Sequence, residues 1–240
     1  MKLTYIYNSC FAIEADNYTI LIDFFKDTEG DFDTGYVNRE LFTRSGRLYV
    51  LSSHSHHDHF SKKVLKWREK RPDIIYILSK DILLCHKAKP SDAHFIDKLE
   101  TYEDDLLKVT AFGSTDIGDS FLIEVEGKRI FHAGDLNNWH WKDESTPEEV
   151  EQAEAFFLSE LAVITNQIQH LEVAMFPIDK RIGTDYMRGA EQFLSAIKVD
   201  LFSPMHFGKY YESAAAILPF AESKGSRIVE WKHKGESVEI

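Results

Sequence analysis

The segment His54-Ser55-His56-His57-Asp58-His59 places four of the chain's eleven histidines within six positions, with an aspartate among them. It follows the apolar, strand-like residues 48–51 and precedes a predicted helix start at Ser61. Loops between regular elements are where catalytic side chains commonly lie on a rigid scaffold. Neutral imidazoles and carboxylates are ligands of zinc and similar divalent ions. The segment therefore predicts a metal site in which His54 and His56 serve one ion and Asp58 and His59 serve a second.

Two other interpretations of this segment are a solvated histidine-rich loop and an expression tag. A tag would stand at a terminus and consist almost wholly of histidine, whereas this segment is internal and mixed. Within it, His57 is expected to be a bystander, because alternate residues of an extended segment project to opposite sides. The metal interpretation is therefore preferred.

Other segments of the chain, taken in order with the first, resemble the metallo-β-lactamase fold hydrolases. The His-x-His-x-Asp-His pattern is similar to that family's signature. The sequence FHAGD at residues 131–135 resembles the segment whose Gly-Asp supplies a carboxylate to both metals, and SPMHF at residues 203–207 resembles the strand end that supplies the last histidine. Residues 8–14 and 20–23 resemble the opening hairpin with its Leu-Ile-Asp. The matches extend from about Tyr5 to His206 and so cover nearly the whole chain.

The resemblance implies both a fold and a chemistry. The fold is α/β, a four-layer αβ/βα sandwich, with residues 1–240 forming a single domain. The chemistry is metal-dependent hydrolysis of a small ester, lactone or phosphoester by a metal-bound hydroxide, as in the lactonase-like, poorly characterised branch of small hydrolases. Two divalent metals that bridge a water lower its pKa towards ~7 and polarise the group under attack. Asp135 is then the bridging carboxylate, His206 completes the second site, and the candidate catalytic residues are Asp58 and Asp135.

The chain departs from the family pattern where a third histidine usually ligates the first metal. Residues 109–121 contain no histidine, and Asp116 is the predicted replacement because a carboxylate can ligate zinc, iron or manganese. Asp119 and Ser114 are the other candidates, and Asp116 can instead cap its own turn. A single-metal site or a weakly occupied first site is also consistent with the sequence. The complete set of predicted metal ligands is His54, His56, Asp58, His59, Asp116, Asp135 and His206.

The predicted cofactors are two divalent metal ions. Zinc is the first choice, and manganese or iron are the alternatives because replacing an imidazole by a carboxylate makes the site harder and more anionic. The alternative function on the same fold is a catalytically silent metal-binding protein or a di-iron redox protein. Redox members of the family generally carry a fused flavin-binding domain, for which 240 residues leave no room.

The composition of the chain indicates which class of binding partner and which cellular location to expect. A chain of 240 residues with 43% hydrophobic content can form one large α/β domain or two small ones. Its net charge of -12 disfavours nucleic acid, whose binding depends on neutralising phosphates, so a small-molecule substrate is expected. No apolar stretch approaches the roughly 20 residues of a membrane helix, and no secretory signal is recognisable, so a cytoplasmic location is expected. Cys10 and Cys85 are expected to be free, buried thiols, and the oligomeric state stays open.

Three capping residues predict where helices begin, and one long polar segment connects predicted strands. Ser61 is expected to cap a helix over residues 62–70, and Thr146 to open another through a capping box with Pro147 at the first helical position. Thr184 is expected to cap a third helix, whose apolar stripe includes Met187. The polar residues 25–46 are either a lid over the site or a long surface connection.

Residues at predicted strand ends are candidates for contact with the substrate. The sequence NNWHW at residues 137–141 follows Asp135, and its side chains can either hold and wall a substrate or pack and cap the helix that follows. Lys180 or Arg181 can hold a phosphate or carboxylate, or can be ordinary surface charges. His132 is expected to support the metal ligands rather than to bind a metal itself.

Overall fold

A computed structural model describes residues 1–29 and 34–240 of the chain. The chain divides into two compact units, the first formed by residues Met1–Asp97 and Trp231–Ile240 and the second by Lys98–Glu230. Each unit contains one seven-stranded mixed sheet with helices packed against it, which agrees with the predicted α/β class. The extent of a single domain over residues 1–240 stays a prediction.

The first unit is built on one sheet, whose strands are numbered along the whole chain. The strands are β1 Lys2–Tyr7, β2 Cys10–Glu14, β3 Tyr18–Ile22, β4 Arg47–Ser52, β5 Ile75–Ser79, β6 His94–Ile96 and β14 Ser237–Glu239. They lie in the order β14-β1-β2-β3-β4-β5-β6, in which the first four strands pair antiparallel and the strands from β3 to β6 pair parallel. The helical segments are a π-helical turn at Val37–Leu41, a 3-10 helix at Lys62–Glu69 and α1 at Lys80–Leu84.

Strands β3, β4 and β5 are buried almost throughout, as parallel strands covered on both faces are expected to be. Leu21, Val50 and Leu78 belong to one apolar cluster that also takes in Trp67 of the 3-10 helix. The helix predicted after Ser61 is therefore present, but it is 3-10 rather than α, and the Ser61 side chain accepts from Lys63 N as a cap should. This packing fixes the loop that joins β4 to the 3-10 helix.

The second unit also has one sheet. Its strands are β7 Thr101–Glu103, β8 Leu107–Gly113, β9 Asp119–Val125, β10 Lys128–His132, β11 His170–Pro177, β12 Lys198–Met205 and β13 Arg227–Ile228. They lie in the order β13-β12-β11-β10-β9-β8-β7, in which the strands from β7 to β10 pair antiparallel and those from β10 to β13 pair parallel. The helices are α2 Pro147–Thr165, a 3-10 turn Lys180–Ile182, α3 Arg188–Ala196, α4 Tyr211–Ala215 and α5 Leu218–Ser223.

Helix α2 begins as its sequence predicts. The Thr146 side chain accepts from Glu149 N and the Glu149 carboxylate accepts from Thr146 N, which is the reciprocal capping box. Its apolar stripe buries Phe157, Leu161 and Ile164. Full burial of a side chain such as Phe157 stabilises the fold by roughly 1.5–3 kcal/mol.

Helix α3 does not begin where Thr184 predicts. The helix starts at Arg188, and its N-cap Met187 makes no side-chain capping bond. The Thr184 backbone N–H instead donates to Asp143 Oδ2, and Asp185 has a φ of 62°, which is incompatible with a continuing right-handed helix. The prediction of Thr184 as a cap was therefore wrong.

The two cysteines are free, as expected, but only one of them is buried. Cys10 lies in β2 with no exposure, and burial raises the pKa of its thiol well above the ordinary value, with further increases from the Asp27 and Asp23 carboxylates. Cys85 follows α1 and is exposed, so the expectation of burial was wrong for it. The apolar run before Cys85 includes Leu84, which is itself exposed at the helix end.

Hydrogen bonds to a buried carboxylate hold part of the polar connection over residues 25–46. Asp27 is buried, and its carboxylate accepts from Val37 N at the start of the π-helical turn. Residues 30–33 of the predicted lid lie outside the described residues, so a lid and a surface connection stay alternative predictions. Among the residues that are described, no helix has both the length and the apolar character needed to cross a membrane.

Strand ends in both units carry the polar residues singled out above. Strand β4 ends at Ser52, two residues before His54, and β10 ends at His132, three residues before Asp135. Strand β12 ends at Met205, directly before His206. Ligands of α/β proteins commonly bind at the carboxyl ends of parallel strands, so these loops are where a site is expected.

Candidate metal centre

The first unit brings four predicted ligands together in the loop after β4. The His54 and His56 rings meet edge to face with centroids 4.9 Å apart, and a ring nitrogen of one lies within 4.8 Å of one of the other. The His59 ring lies 4.0 Å from that of His54, and its Nε2 is 3.7 Å from Asp58 Oδ2. His57 has a side chain that is 92% exposed, as expected of a bystander. The loop thus presents two adjacent pairs of donors.

Asp23 and Ser53 orient two of these histidines. The buried Asp23 carboxylate accepts from His59 Nδ1 at 2.7 Å and from Ser53 N and Oγ, both at 2.7 Å. Because the Ser53 hydroxyl donates to Asp23, its oxygen accepts from His54 Nδ1, 3.0 Å away. A carboxylate that holds the second ring nitrogen fixes tautomer and orientation, so Nε2 is the nitrogen that would ligate a metal.

The role of Asp23 went unrecognised in the sequence. Its position after the apolar residues 20–22 marks it as a polar group at the end of a buried strand. That signal is shared by many turn aspartates. The φ of 53° at Asp23 shows that the backbone turns sharply there, which directs the carboxylate back towards Ser53 and His59.

The second unit brings together the other three predicted ligands. Asp135 Oδ1 lies 3.5 Å from His206 Nε2, and a carboxylate oxygen of Asp116 lies within 4.8 Å of one of Asp135. Asp135 therefore lies near two other predicted ligands of its unit, which is consistent with the bridging carboxylate that the sequence predicts. Gly134 turns the chain with a φ of 55°, and the His132 ring supports that turn by accepting from Gly134 N at 3.2 Å.

The loop that carries Asp116 is fixed by its neighbours. Ser114 Oγ accepts from Asp116 N at 3.2 Å and so caps the turn. Thr115 Oγ1 donates to Asn137 O at 2.6 Å and accepts from Asn137 N at 2.9 Å, which ties the loop to the segment after Asp135. Asp116 itself is exposed, whereas Asp119 is buried at the start of β9.

Asp179 orients His206 from the loop after β11. Its Oδ2 accepts from His206 Nδ1 at 3.0 Å, and its carboxylate also accepts from the Arg181 backbone N–H and from Nε at 2.9 Å. Burial alone would raise the pKa of Asp179, but the hydrogen bonds from His206 and Arg181 outweigh it and lower that pKa to about 2. The carboxylate is therefore ionised at neutral pH. Arg181 forms an ion pair with Asp179 and is not an isolated surface charge.

The segment after Asp135 divides into packed and partly exposed residues. Asn138 is buried and donates to Gln192 Oε1 at 3.0 Å, and His140 is buried beside Asp185 O. Trp139 and Trp141 are only half-buried, and the Trp139 indole N–H donates to Asp135 O at 2.7 Å. The structure thus gives the asparagine and histidine packing contacts and leaves indole surface on the outside.

A further donor cluster occurs at the opposite ends of β11 and β12. His170 Nε2 lies 2.9 Å from Asp200 Oδ2, and Glu172 Oε1 is 3.6 Å from His170 Nδ1. All three side chains are more than a quarter exposed. The cluster provides a matched control for the sites after the strand ends.

The donors of the two units are of the types that divalent transition metals accept. Imidazole nitrogen and carboxylate oxygen are the ligands that zinc, iron and manganese accept, and the hydrogen bonds of Asp23, Ser53 and Asp179 present Nε2 of three histidines. Ligating histidines in proteins characteristically have such a partner on the other ring nitrogen. The residues present are thus suited to the metals that the sequence predicts.

Comparison with known proteins identifies the family. Residues 2–206 match the model of the beta-lactamase superfamily domain. The chain belongs to the β-lactamase superfamily. This superfamily member is 23% identical over 235 residues to a metal-dependent hydrolase of Alkaliphilus metalliredigens, with 92% of each chain covered. It is 28% identical to a metal-dependent hydrolase of Symbiobacterium thermophilum, with 88% of this chain and 85% of the relative covered.

Solved structures confirm the predicted metallo-β-lactamase fold class. The superfamily member resembles the metallo hydrolase Igni18 of Ignicoccus hospitalis with a TM-score of 0.63 and 19% identity, covering 99% of this chain and 97% of that one. It resembles CmlA, a diiron β-hydroxylase of Streptomyces venezuelae, with a TM-score of 0.70 and 14% identity. It matches 54% of the length of CmlA, so that likeness concerns one part of the larger protein.

Proposed function

We propose that this metal-dependent hydrolase of the β-lactamase superfamily uses two divalent ions to cleave a small ester, lactone or phosphoester. The observation that carries the proposal is the loop after β4, where four donors converge and the Nδ1 atoms of His54 and His59 are already held. Holding these rings requires a buried network of hydrogen bonds. A metal site needs such a network to orient its ligands, whereas a plain surface loop does not.

We propose the same ligands that the sequence predicts. His54, His56 and Asp116 are proposed for the first ion, and Asp58, His59 and His206 for the second. Asp135 is proposed to bind both, which its contacts with Asp116 and His206 support. Zinc is our first choice of metal. Manganese and iron are the alternatives, because a carboxylate of Asp116 in place of an imidazole makes the site harder and more anionic.

Two bound ions supply an activated water near neutral pH and polarise the carbonyl or phosphoryl oxygen under attack. The residues of the chain supply orientation. Asp58 can position the attacking water through a carboxylate oxygen, and Asp23, Ser53 and Asp179 hold the histidine rings. No protein nucleophile is proposed, because the Cys10 thiol is buried with a raised pKa and Cys85 is exposed outside the ligand loops.

The substrate is proposed to be a small molecule rather than a nucleic acid, in keeping with the net charge of -12. The free Cys10 and Cys85 suit the reducing cytoplasm, where we propose that the enzyme acts. A redox function is the second candidate, and the specific observation in its favour is the fold likeness to the diiron β-hydroxylase CmlA. Oxygen-dependent turnover by iron-loaded protein would favour that candidate over hydrolysis.

Metal analysis combined with a substrate screen tests the proposal. Protein reconstituted with zinc or manganese is expected to contain two ions per chain and to hydrolyse at least one lactone, carboxylic ester or phosphodiester. Asp58→Ala and Asp135→Ala should lower kcat/KM by about 10³-fold or more, since both remove a ligand and Asp135 serves both ions. His170→Ala, which changes a histidine at the opposite end of β11, is the control and should keep both metal content and turnover. Folded protein that binds no metal would exclude the proposal.

A further inference from the structure

Two partly exposed tryptophans lie beside a proposed metal ligand. The Trp139 ring meets the His206 ring edge to face, with centroids 5.8 Å apart and planes at 71°. The Trp141 ring is nearly parallel to that of Trp139, at 16° and 6.2 Å. Indole rings offer a large apolar surface, and binding sites are lined by such surfaces around a few polar groups. The pair is thus an aromatic platform, formed by Trp139 and Trp141, next to the second ligand set.

The platform is held in place by bonds and by an unusual backbone conformation. The Trp139 indole N–H donates to Asp135 O at 2.7 Å, which ties its ring to the segment that carries the bridging carboxylate. Trp141 has a φ of 42°, a left-handed conformation that is rare for a bulky residue. Its carbonyl accepts from Glu144 N at 2.8 Å and from Ser145 N at 2.9 Å, so two hydrogen bonds hold the turn in this conformation. Strain of this kind is characteristic of ligand-binding positions, where it fixes a side chain in advance.

The charges near the platform favour an uncharged group over a phosphate. Lys142 follows Trp141 directly, and its Nζ is engaged by Asp185 Oδ2 at 2.5 Å. Arg181 is engaged by the Asp179 carboxylate. Both cations are thus neutralised by neighbouring carboxylates, whereas recognition of phosphate depends on cationic side chains that can turn towards it. Neither Lys142 nor Arg181 is therefore arranged to bind a phosphate beside the two indole rings.

We propose that Trp139 and Trp141 form the subsite for an aromatic ring of the substrate. The enzyme then prefers esters or lactones that carry an aryl group to small aliphatic ones and to phosphodiesters. Aromatic rings stack offset or edge to face on indoles, and a rigid pair presents that surface without an ordering cost at the moment of binding. This inference rests on the proposed function, because it takes the ions held near His206 as the point of hydrolysis.

Matched esters with one leaving group test the preference. With metal-loaded protein, methyl phenylacetate should have a kcat/KM at least tenfold above that of methyl acetate. Trp141→Ala should remove most of that advantage through KM, and Trp141→Phe should keep part of it. Phe156→Ala is the control, because it removes an aromatic side chain that is 47% exposed on α2. Equal kcat/KM values for the two esters, or an advantage that Trp141→Ala leaves intact, would overturn the subsite.

A binding measurement separates failure of the subsite from failure of the proposed function. Phenylacetate and acetate, which are not hydrolysed, are titrated by calorimetry into protein whose metal content has been measured. Phenylacetate should bind about tenfold more tightly than acetate, and Trp141→Ala should bring the two affinities together. Equal affinities in fully loaded protein would overturn the subsite alone. Failure of the protein to load metal would overturn the proposed function, and with it the basis of the subsite.

Discussion

In both units a buried aspartate accepts a hydrogen bond from Nδ1 of a histidine, but the residues that hold that aspartate, which we call the anchor, differ between the units. In the first unit the Asp23 carboxylate is fully buried and is itself held by Ser53, an uncharged residue, through the backbone N–H and the hydroxyl. In the second unit the Asp179 carboxylate is held by Arg181, whose side chain is 60% exposed. Both anchors are thus buried carboxylates, but Asp23 is held by the uncharged donors of Ser53, whereas Asp179 is paired with a guanidinium that reaches solvent.

The difference predicts unequal strength and unequal sensitivity to salt. Hydrogen bonds in a low-dielectric interior are strong, and they are costly to break because the partners stay buried. An ion pair that reaches solvent contributes less and is screened by salt. Asp23 also serves two rings, directly at His59 and through Ser53 at His54, whereas Asp179 serves His206. We therefore expect the first unit to dominate metal retention.

The largest effect is expected from removing charge at the two anchors. Asp23→Asn should weaken metal binding about 100-fold and Asp179→Asn about tenfold, which are the two ends of the range for partners of ligating histidines. Competition with a coloured chelator measures both affinities. Glu14→Gln is the control, since Glu14 is an equally buried carboxylate of the first unit that binds Thr4, Tyr36, Lys2 and Arg44 instead of a histidine. Equal losses in the two anchor variants would break the comparison.

A smaller effect is expected from the residues that hold the anchors. Ser53→Ala removes both hydrogen bonds of the Ser53 hydroxyl. The one that holds His54 directly is worth about 1 kcal/mol, so metal affinity should fall about fivefold at every salt concentration. Arg181→Met should cause a loss of about threefold at low salt, and that loss should vanish in 1 M sodium chloride, where the Debye length is about 3 Å. The same chelator competition, repeated over a salt series, measures this contrast. Salt dependence in both variants, or in neither, would show that the anchors do not differ as described.

The smallest effect concerns the choice of metal. Asp116→His restores an imidazole where the family pattern has one, and we expect the ratio of zinc to manganese affinity to rise about tenfold while two ions are still bound. Asp119→His is the control, because Asp119 is paired with Gly113 at the start of β9. Loading with mixed metals followed by elemental analysis measures the ratio. An unchanged ratio in Asp116→His would remove Asp116 from the ligand set.

The same comparison explains how much of the candidate site the sequence could predict. The four predicted ligands of the first unit lie within six consecutive positions, so their spacing alone indicates a metal site. Those of the second unit are spread from Asp116 to His206, and only the order of the family segments connects them. Asp23 and Asp179 were not predicted as anchors, because a single aspartate at a strand end is typical of many turns. The function of Asp23 and Asp179 becomes evident only from the structure, in which each carboxylate lies within hydrogen-bonding distance of a histidine Nδ1.

The fold was predictable where hydrophobic patterns are long. Strand β4 and helix α2 agree closely with the apolar run and the capping box that predict them. Strands β6, β7 and β14, which have three residues each, escaped prediction because so short a segment contains no usable alternation. The burial of Cys85 was mispredicted for a related reason, since the short helix α1 buries Ile82 and exposes Leu84.

Anomalous diffraction from crystals grown with zinc tests the central claim most directly. The two ligand sets should give two anomalous peaks per chain. A carboxylate oxygen of Asp116 should lie within about 2.0–2.2 Å of one peak, and Nε2 of His206 should lie within about 2.0–2.1 Å of the other. Asp135 should contact both peaks. A single peak, or peaks found only beside His170 and Asp200, would contradict the account.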